Sequence, residues 1–111
     1  MAVLTKDAIL QADDLPRVLV EVPEWGEGAV VNVRTLSALE AESLKGIDEK
    51  GNFLGRFAVL VMCDENGERL FSDEYADKVG GKNNNALRKV CDAAQELNGM
   101  GAEAQEEAAK N

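Results

Sequence analysis

The sequence predicts a single α+β domain in which an N-terminal β-hairpin packs with four to five short α-helices. Two valine-rich segments with alternating side chains predict the hairpin, and capping residues followed by apolar positions three and four apart predict the helices. The 111 residues are 45% hydrophobic, which is enough for one modest core. We expect the domain to span residues 1–101 and the alanine- and glutamate-rich residues 102–111 to form a frayed or disordered tail.

The first helix is predicted over residues 6–12. Thr5 is a suitable N-cap residue, and the acidic Asp7 lies in the first turn, where the helix dipole favours it. The helix must end before Pro16, because the residue preceding a proline avoids helical geometry.

Two strands are predicted next, over residues 17–23 and 29–34, where β-branched valines alternate with other side chains. Residues 24–28 contain two glycines and form the connecting loop of the hairpin. Because an isolated hairpin is only marginally stable in water, we expect helices to cover its valine face.

A second helix is predicted after the hairpin, since Ser37 and Glu40 have the spacing of a capping box. Gly46 is a natural stop for this helix. The polar residues 47–52 are interpreted as a mobile loop. The apolar side of the helix is assigned to Leu36, Leu39 and Leu44.

Residues 53–63 are apolar on nearly every side, so a helix and a buried strand are both compatible with the pattern. We favour the helix, because Gly55 is tolerable near a helix start. Residues 64–67 form a tight turn, and Ser72 is then expected to cap a short helix that runs to Val79 and ends at the glycine pair that follows.

The final helix has the clearest pattern and is predicted between residues 84 and 98. Asn98 and Gly99 provide a stop signal at its end. Its apolar stripe consists of Leu87, Val90, Cys91, Ala94 and Leu97.

The formal charge is −9, from 12 basic and 21 acidic residues. This charge repels phosphate backbones, so we expect no nucleic-acid binding. An acidic surface that imitates DNA is an alternative. No segment approaches the roughly 20 apolar residues that span a bilayer, and the first residues lack the apolar stretch of a secretory signal. We therefore expect a cytoplasmic protein without membrane contact.

Histidine is absent, which removes the commonest general base and metal ligand. The two cysteines, Cys63 and Cys91, lack a C-x-x-C spacing and fall in apolar segments, so we interpret them as small buried thiols. Two cysteines are also too few for a closed zinc site. We expect no catalysis, no metal and no cofactor.

Several short segments together resemble a known family. They are residues 7–10 (DAIL), 20–26 (VEVPEWG), 31–36 (VNVRTL), 64–71 (DENGERLF) and 93–98 (AAQELN). In this order they resemble the tail assembly chaperones of siphophages and related prophages, the functional equivalents of the lambda gpG protein. The most specific segment is the hairpin loop with Trp25.

The resemblance implies a protein that binds the long helical tape-measure protein and keeps it soluble. Such chaperones self-associate along the tape-measure protein and help to recruit the tail-tube protein, in some cases through a longer form made by ribosomal frameshifting. They act in the cytoplasm of the host bacterium and are absent from the mature virion. The chief alternative is a head-tail connector or minor tail protein that stays in the virion, and a further one is an acidic inhibitor or DNA mimic.

Candidate partner contacts are apolar residues near the two ends of the domain and in the hairpin loop. For Trp25 we favour the interpretation that it fixes the loop to the helices, and a contact with the partner is the alternative. The complete set of candidates is Leu4, Ile9, Leu10, Trp25 and Met100.

Overall fold

A computed structural model describes residues 3–99, apart from the side chain of Asp48, and confirms the α+β architecture. The predicted tail, residues 102–111, and the predicted C-terminal boundary of the domain, residue 101, lie outside this range. The elements in chain order are α1 (Lys6–Gln11), β1 (Arg17–Glu21), β2 (Val30–Arg34), α2 (Ala38–Ser43), α3 (Ile47–Lys50), α4 (Phe53–Val61), β3 (Met62–Cys63), α5 (Ala76–Gly80) and α6 (Asn84–Leu97), with 3-10 turns at Pro23–Trp25 and Asp73–Tyr75.

The hairpin is present as predicted, with β1 and β2 antiparallel and Val20 opposite Val31. The sheet also has a third strand that the sequence did not predict, because β3 pairs antiparallel with β2 and places Met62 opposite Val33. The segment predicted as one helix over residues 53–63 is therefore a helix only as far as Val61. The chain continues along the far edge of β3, where the Leu70 amide donates to the carbonyl of Met62 at 3.0 Å.

The core is formed by α4, α6 and the valine face of the sheet. Phe57 of α4 and Val33 of β2 are completely buried, and α6 contacts both β1 and β2. The predicted stripe of α6 is buried at Leu87 and Val90, whereas Leu97 is only partly buried. The expectation that helices cover the hairpin is thus confirmed.

The segment after β2 differs from the prediction in two respects. The capping box is present, since the Ser37 hydroxyl accepts from the Glu40 amide at 3.2 Å, but Leu39 is 80% exposed and does not join an apolar side. The expected loop over residues 47–52 contains α3 instead. Gly46 adopts a φ of 74°, which redirects the chain so that Ile47 is buried and α3 packs against α4.

The turn at residues 64–67 is confirmed, because the Asp64 carboxylate accepts hydrogen bonds from the amides of Asn66 and Glu68 at 2.8 and 3.0 Å. Ser72 precedes a helical turn as expected, but its side chain does not cap it. Its hydroxyl donates to the Glu74 carboxylate at 3.1 Å instead.

Residues 3–12 form an N-terminal arm that includes α1. Thr5 caps α1 as predicted, by accepting from the Ala8 amide at 3.2 Å, and the helix ends at Gln11. Every side chain of the arm is exposed. Within residues 3–99, none of the helices has the length and apolar character needed to cross a membrane.

Candidate functional site

An open apolar groove of about 670 Å³ lies on the valine face of the sheet, beside the hairpin loop. Its volume falls within the range of roughly 300–1,000 Å³ that is common for binding sites. The groove is lined by the apolar residues Trp25, Val31, Met62, Leu70, Phe71, Tyr75 and Val79 and by the charged residues Glu24, Lys78 and Lys82.

One wall is the 3-10 turn Pro23–Trp25, which the sequence stabilises locally. Pro23 occupies the first position of the turn, where its fixed φ suits the geometry, and the Trp25 amide donates to the carbonyl of Val22 at 3.0 Å. Lys89 of α6 donates to both carboxylate oxygens of Glu24 at 2.8 Å. This hydrogen bond from Lys89 lowers the pKa of Glu24 and ties the hairpin loop to α6.

Trp25 is partly buried and packs against the core. Its indole Nε1 is buried and has no hydrogen-bond acceptor among the described residues, an arrangement that typically costs about 1–3 kcal/mol. The packing agrees with the interpretation that Trp25 fixes the loop to the helices. Its contact with a partner remains a prediction, and its place in the wall of the groove is compatible with both interpretations.

The opposite wall comes from the segment between β3 and α6. The rings of Phe71 and Tyr75 lie 5.7 Å apart, and the Lys78 ammonium stands 5.7 Å from the centre of the Tyr75 ring. These aromatic and cation–π contacts orient the wall. Leu70 is 52% exposed, so it leaves apolar surface open at the groove.

The structure divides the predicted contact residues between two surfaces. Leu4, Ile9 and Leu10 lie on the N-terminal arm, are 63%, 57% and 74% exposed, and do not line the groove. Trp25 does line it, and Met100 lies outside the described residues. The wall formed by Leu70, Phe71 and Tyr75 was not predicted from the sequence, because these residues follow no periodic pattern.

The side chains that line the groove are mainly apolar. Among residues 3–99, no group of three or more cysteine, aspartate or glutamate side chains is placed to hold a metal ion. Cys63 and Cys91 are free, buried thiols, as predicted, although Cys63 lies in a strand.

We predict that both cysteines react slowly with thiol reagents in the native protein. Burial raises the pKa of Cys63, and burial followed by the nearby charge of Asp92 raises the pKa of Cys91 to about 12, so both stay protonated at neutral pH. Titration with a chromogenic disulfide reagent should give two thiols only after unfolding in urea. Rapid native reaction of both would contradict this description of their burial.

Comparison with solved structures gives a likeness that extends over most of the chain. No protein-family model matches the chain, and no curated protein matches it. A solved structure, that of the bacteriophage HK97 tail assembly chaperone, is similar with a TM-score of 0.63 and 21% sequence identity, over 82% of this chain and 90% of that one. The sequence resemblance is thereby confirmed at the level of the fold: this chain has the fold of the HK97 tail assembly chaperone.

Proposed function

We propose that the protein is a phage tail assembly chaperone that binds a tape-measure protein and keeps it soluble, without catalysis. The observation that carries this proposal is the likeness to the HK97 protein, which extends over most of both chains. A shared fold alone allows several functions, so the surface chemistry must support the assignment as well.

The groove suits the apolar stripe of an amphipathic helix. Helix-in-groove binding places large side chains, spaced three and four apart, in an apolar cleft. Glu24 is already paired with Lys89, which leaves Lys78 and Lys82 as the charges that an incoming helix meets. We therefore expect the bound segment to carry acidic residues beside its apolar stripe.

The charge of −9 fits a transient, soluble complex, because net charge opposes aggregation and non-specific attraction to viral DNA. We propose that the protein acts in the cytoplasm of the host bacterium and leaves before the virion is complete. A contact with the tail-tube protein, through a longer frameshifted form, is part of the same proposal.

Co-expression with the tape-measure protein tests the proposal directly. The tape-measure protein should remain in the soluble fraction and co-purify with this protein, and should precipitate when expressed alone. Equal precipitation with and without this protein would refute the proposal. A connector or minor tail protein would be found in purified virions, and a DNA mimic would bind a basic host protein in place of the tape-measure protein.

A substitution in the groove tests the binding surface. Leu70→Asp should weaken tape-measure binding by about tenfold or more, because burying a leucine contributes roughly 1.5–3 kcal/mol and a charge in its place must be desolvated. Leu39→Asp is the matched control, since Leu39 is exposed on α2 and does not line the groove. Titration by fluorescence anisotropy would give both affinities, and equal weakening by the two variants would exclude the groove.

A further inference from the structure

One ion pair joins the hairpin loop, residues 22–29, to α6. The backbone hydrogen bonds within this loop are internal, such as those from the Val22 amide to the Ala29 carbonyl and from the Trp25 amide to the Val22 carbonyl, both at 3.0 Å. Among residues 3–99, the side-chain hydrogen bonds that connect the loop to the rest of the chain all run from Lys89 to Glu24. The ion pair therefore adds a polar connection to the apolar packing of Val22 and Trp25.

The two partners of this ion pair differ in their position relative to the groove. Glu24 is part of the groove lining, whereas Lys89 is not. The Lys89 and Glu24 side chains are 42% and 23% exposed, so their ion pair contributes little to the stability of the fold. Substitution of either residue should therefore leave the protein folded, and its effect on the groove can be measured separately.

The ion pair also changes the charge that a ligand meets in the groove. Because the hydrogen bond from Lys89 lowers the pKa of Glu24, this carboxylate is ionised at neutral pH. Lys78 and Lys82 also line the groove, and neither forms an ion pair within the part of the chain that the structure describes. Lys89 balances the negative charge of Glu24 and so preserves the positive charge that these two lysines give the groove.

We propose that Lys89 determines the charge preference of the groove, although it does not line the groove itself. By holding and balancing the Glu24 carboxylate, it makes the groove select amphipathic helices with acidic flanks over helices with basic flanks. Lys89 is thus a positioning residue that acts through Glu24. The inference rests on the helix-binding groove of the proposed function, and it follows from the general finding that charges at the border of a binding surface govern specificity more than affinity.

The test uses the full chain and two dye-labelled synthetic peptides as probes. Both peptides carry the same amphipathic leucine stripe, but one has glutamates and the other has lysines beside it. Fluorescence anisotropy at low ionic strength gives the two affinities, and their ratio measures the charge preference. Wild type should bind the acidic peptide about tenfold more tightly, and added salt should reduce this ratio because it screens exposed charges.

Two single substitutions should move the ratio in opposite directions. Lys89→Met leaves the Glu24 charge unbalanced and should lower the preference for the acidic peptide by about threefold. Glu24→Gln leaves the positive charge of Lys89 unbalanced and should raise the preference by about the same factor. The double variant Glu24→Gln/Lys89→Met should return close to the wild-type ratio. A purely structural role predicts the same change for both single variants, since each removes the same ion pair.

Matched variants on α6 control for the net charge of the protein. Arg88 is exposed next to Lys89 in the sequence and does not line the groove, so Arg88→Met changes the net charge by the same amount as Lys89→Met and should leave the ratio nearly unchanged. Lys89→Arg keeps the positive charge and should preserve the wild-type preference. Circular dichroism would establish that every variant is folded.

Three results would overturn the proposal. One is an equal change of the ratio in Lys89→Met and Arg88→Met, and another is a change in the same direction in Lys89→Met and Glu24→Gln. The third is the failure of wild type to bind either peptide or to distinguish between them. Because the probes are model peptides, each of these results leaves the co-expression experiment to decide the chaperone function independently.

Discussion

Replacing Glu40 with alanine should lower the free energy of unfolding by about 3–5 kcal/mol, because it leaves the buried Arg34 guanidinium without its counter-charge. Arg34 is only 5% exposed, and it donates to the two carboxylate oxygens of Glu40 at 3.0 and 2.7 Å. The same carboxylate accepts from the Ser37 amide at 2.9 Å. One substitution therefore removes an ion pair and half of a capping box, in a domain whose whole stability is of the order of 5–15 kcal/mol.

Urea unfolding followed by circular dichroism would measure this loss. Glu42→Ala is the control, because Glu42 is exposed on the same helix and alanine is a slightly better helix former than glutamate, so no loss is expected there. The double variant Arg34→Met/Glu40→Leu should recover much of the lost stability, since well-packed apolar residues can replace a buried ion pair. A loss below about 1 kcal/mol in Glu40→Ala would contradict the described burial of Arg34.

The same ion pair makes stability depend on pH in a defined direction. Burial acts to raise the pKa of Glu40, but the hydrogen bonds from Arg34 and Ser37 and the charge of Arg34 outweigh it, and the pKa lies below its ordinary value of 4.5. A lowered carboxyl pKa stabilises the folded state above pH 4.5, and this contribution is lost as the pH falls through the folded-state pKa. The difference between wild type and Glu40→Ala should therefore shrink on acidification below pH 4.5.

Features that depend on a few neighbouring residues could be predicted from the sequence. The Thr5 cap, the capping box of Ser37 and Glu40, and the turn at residues 64–67 all involve groups within four positions of one another. The apolar stripe of α6 could also be predicted. The helix has 14 residues, so the three-and-four spacing of its apolar side chains repeats often enough to be recognised. The order of such segments was sufficient to anticipate the fold.

Features that depend on distant partners could not be predicted. β3 is two residues long and follows α4 directly, so only its pairing with β2 makes it a strand. Leu39 matches an apolar pattern, but α2 is too short and too peripheral to bury it. The groove combines residues from the hairpin loop, two strands and the segment before α6, and no local pattern links them.

Replacing Gly55 with alanine should also destabilise the fold strongly, by about 2–4 kcal/mol, although alanine favours helices over glycine by about 1 kcal/mol. A Cβ atom at this position of α4 would lie 2.5 Å from the carbonyl oxygen of Ala76 at the start of α5, and equally close to the Asn52 side chain. Asn52 joins the two helices. Its Oδ1 accepts from the Gly55 amide at 3.3 Å, while its Nδ2 donates to the Ala76 carbonyl at 2.9 Å.

The added methyl group would clash with the backbone carbonyl of Ala76 and with the capping side chain of Asn52. Moving either group would destabilise the fold. Either α5 moves away from α4, or Asn52 leaves its position and α4 loses its cap. Gly81→Ala is the matched control, since Gly81 has helical geometry with φ of −79° and the nearest atom to an added Cβ lies 3.3 Å away. Thermal unfolding should show a clear decrease in Tm for Gly55→Ala and little change for Gly81→Ala. An increase in Tm for Gly55→Ala, as helix propensity alone predicts, would mean that α4 and α5 do not approach as closely as described.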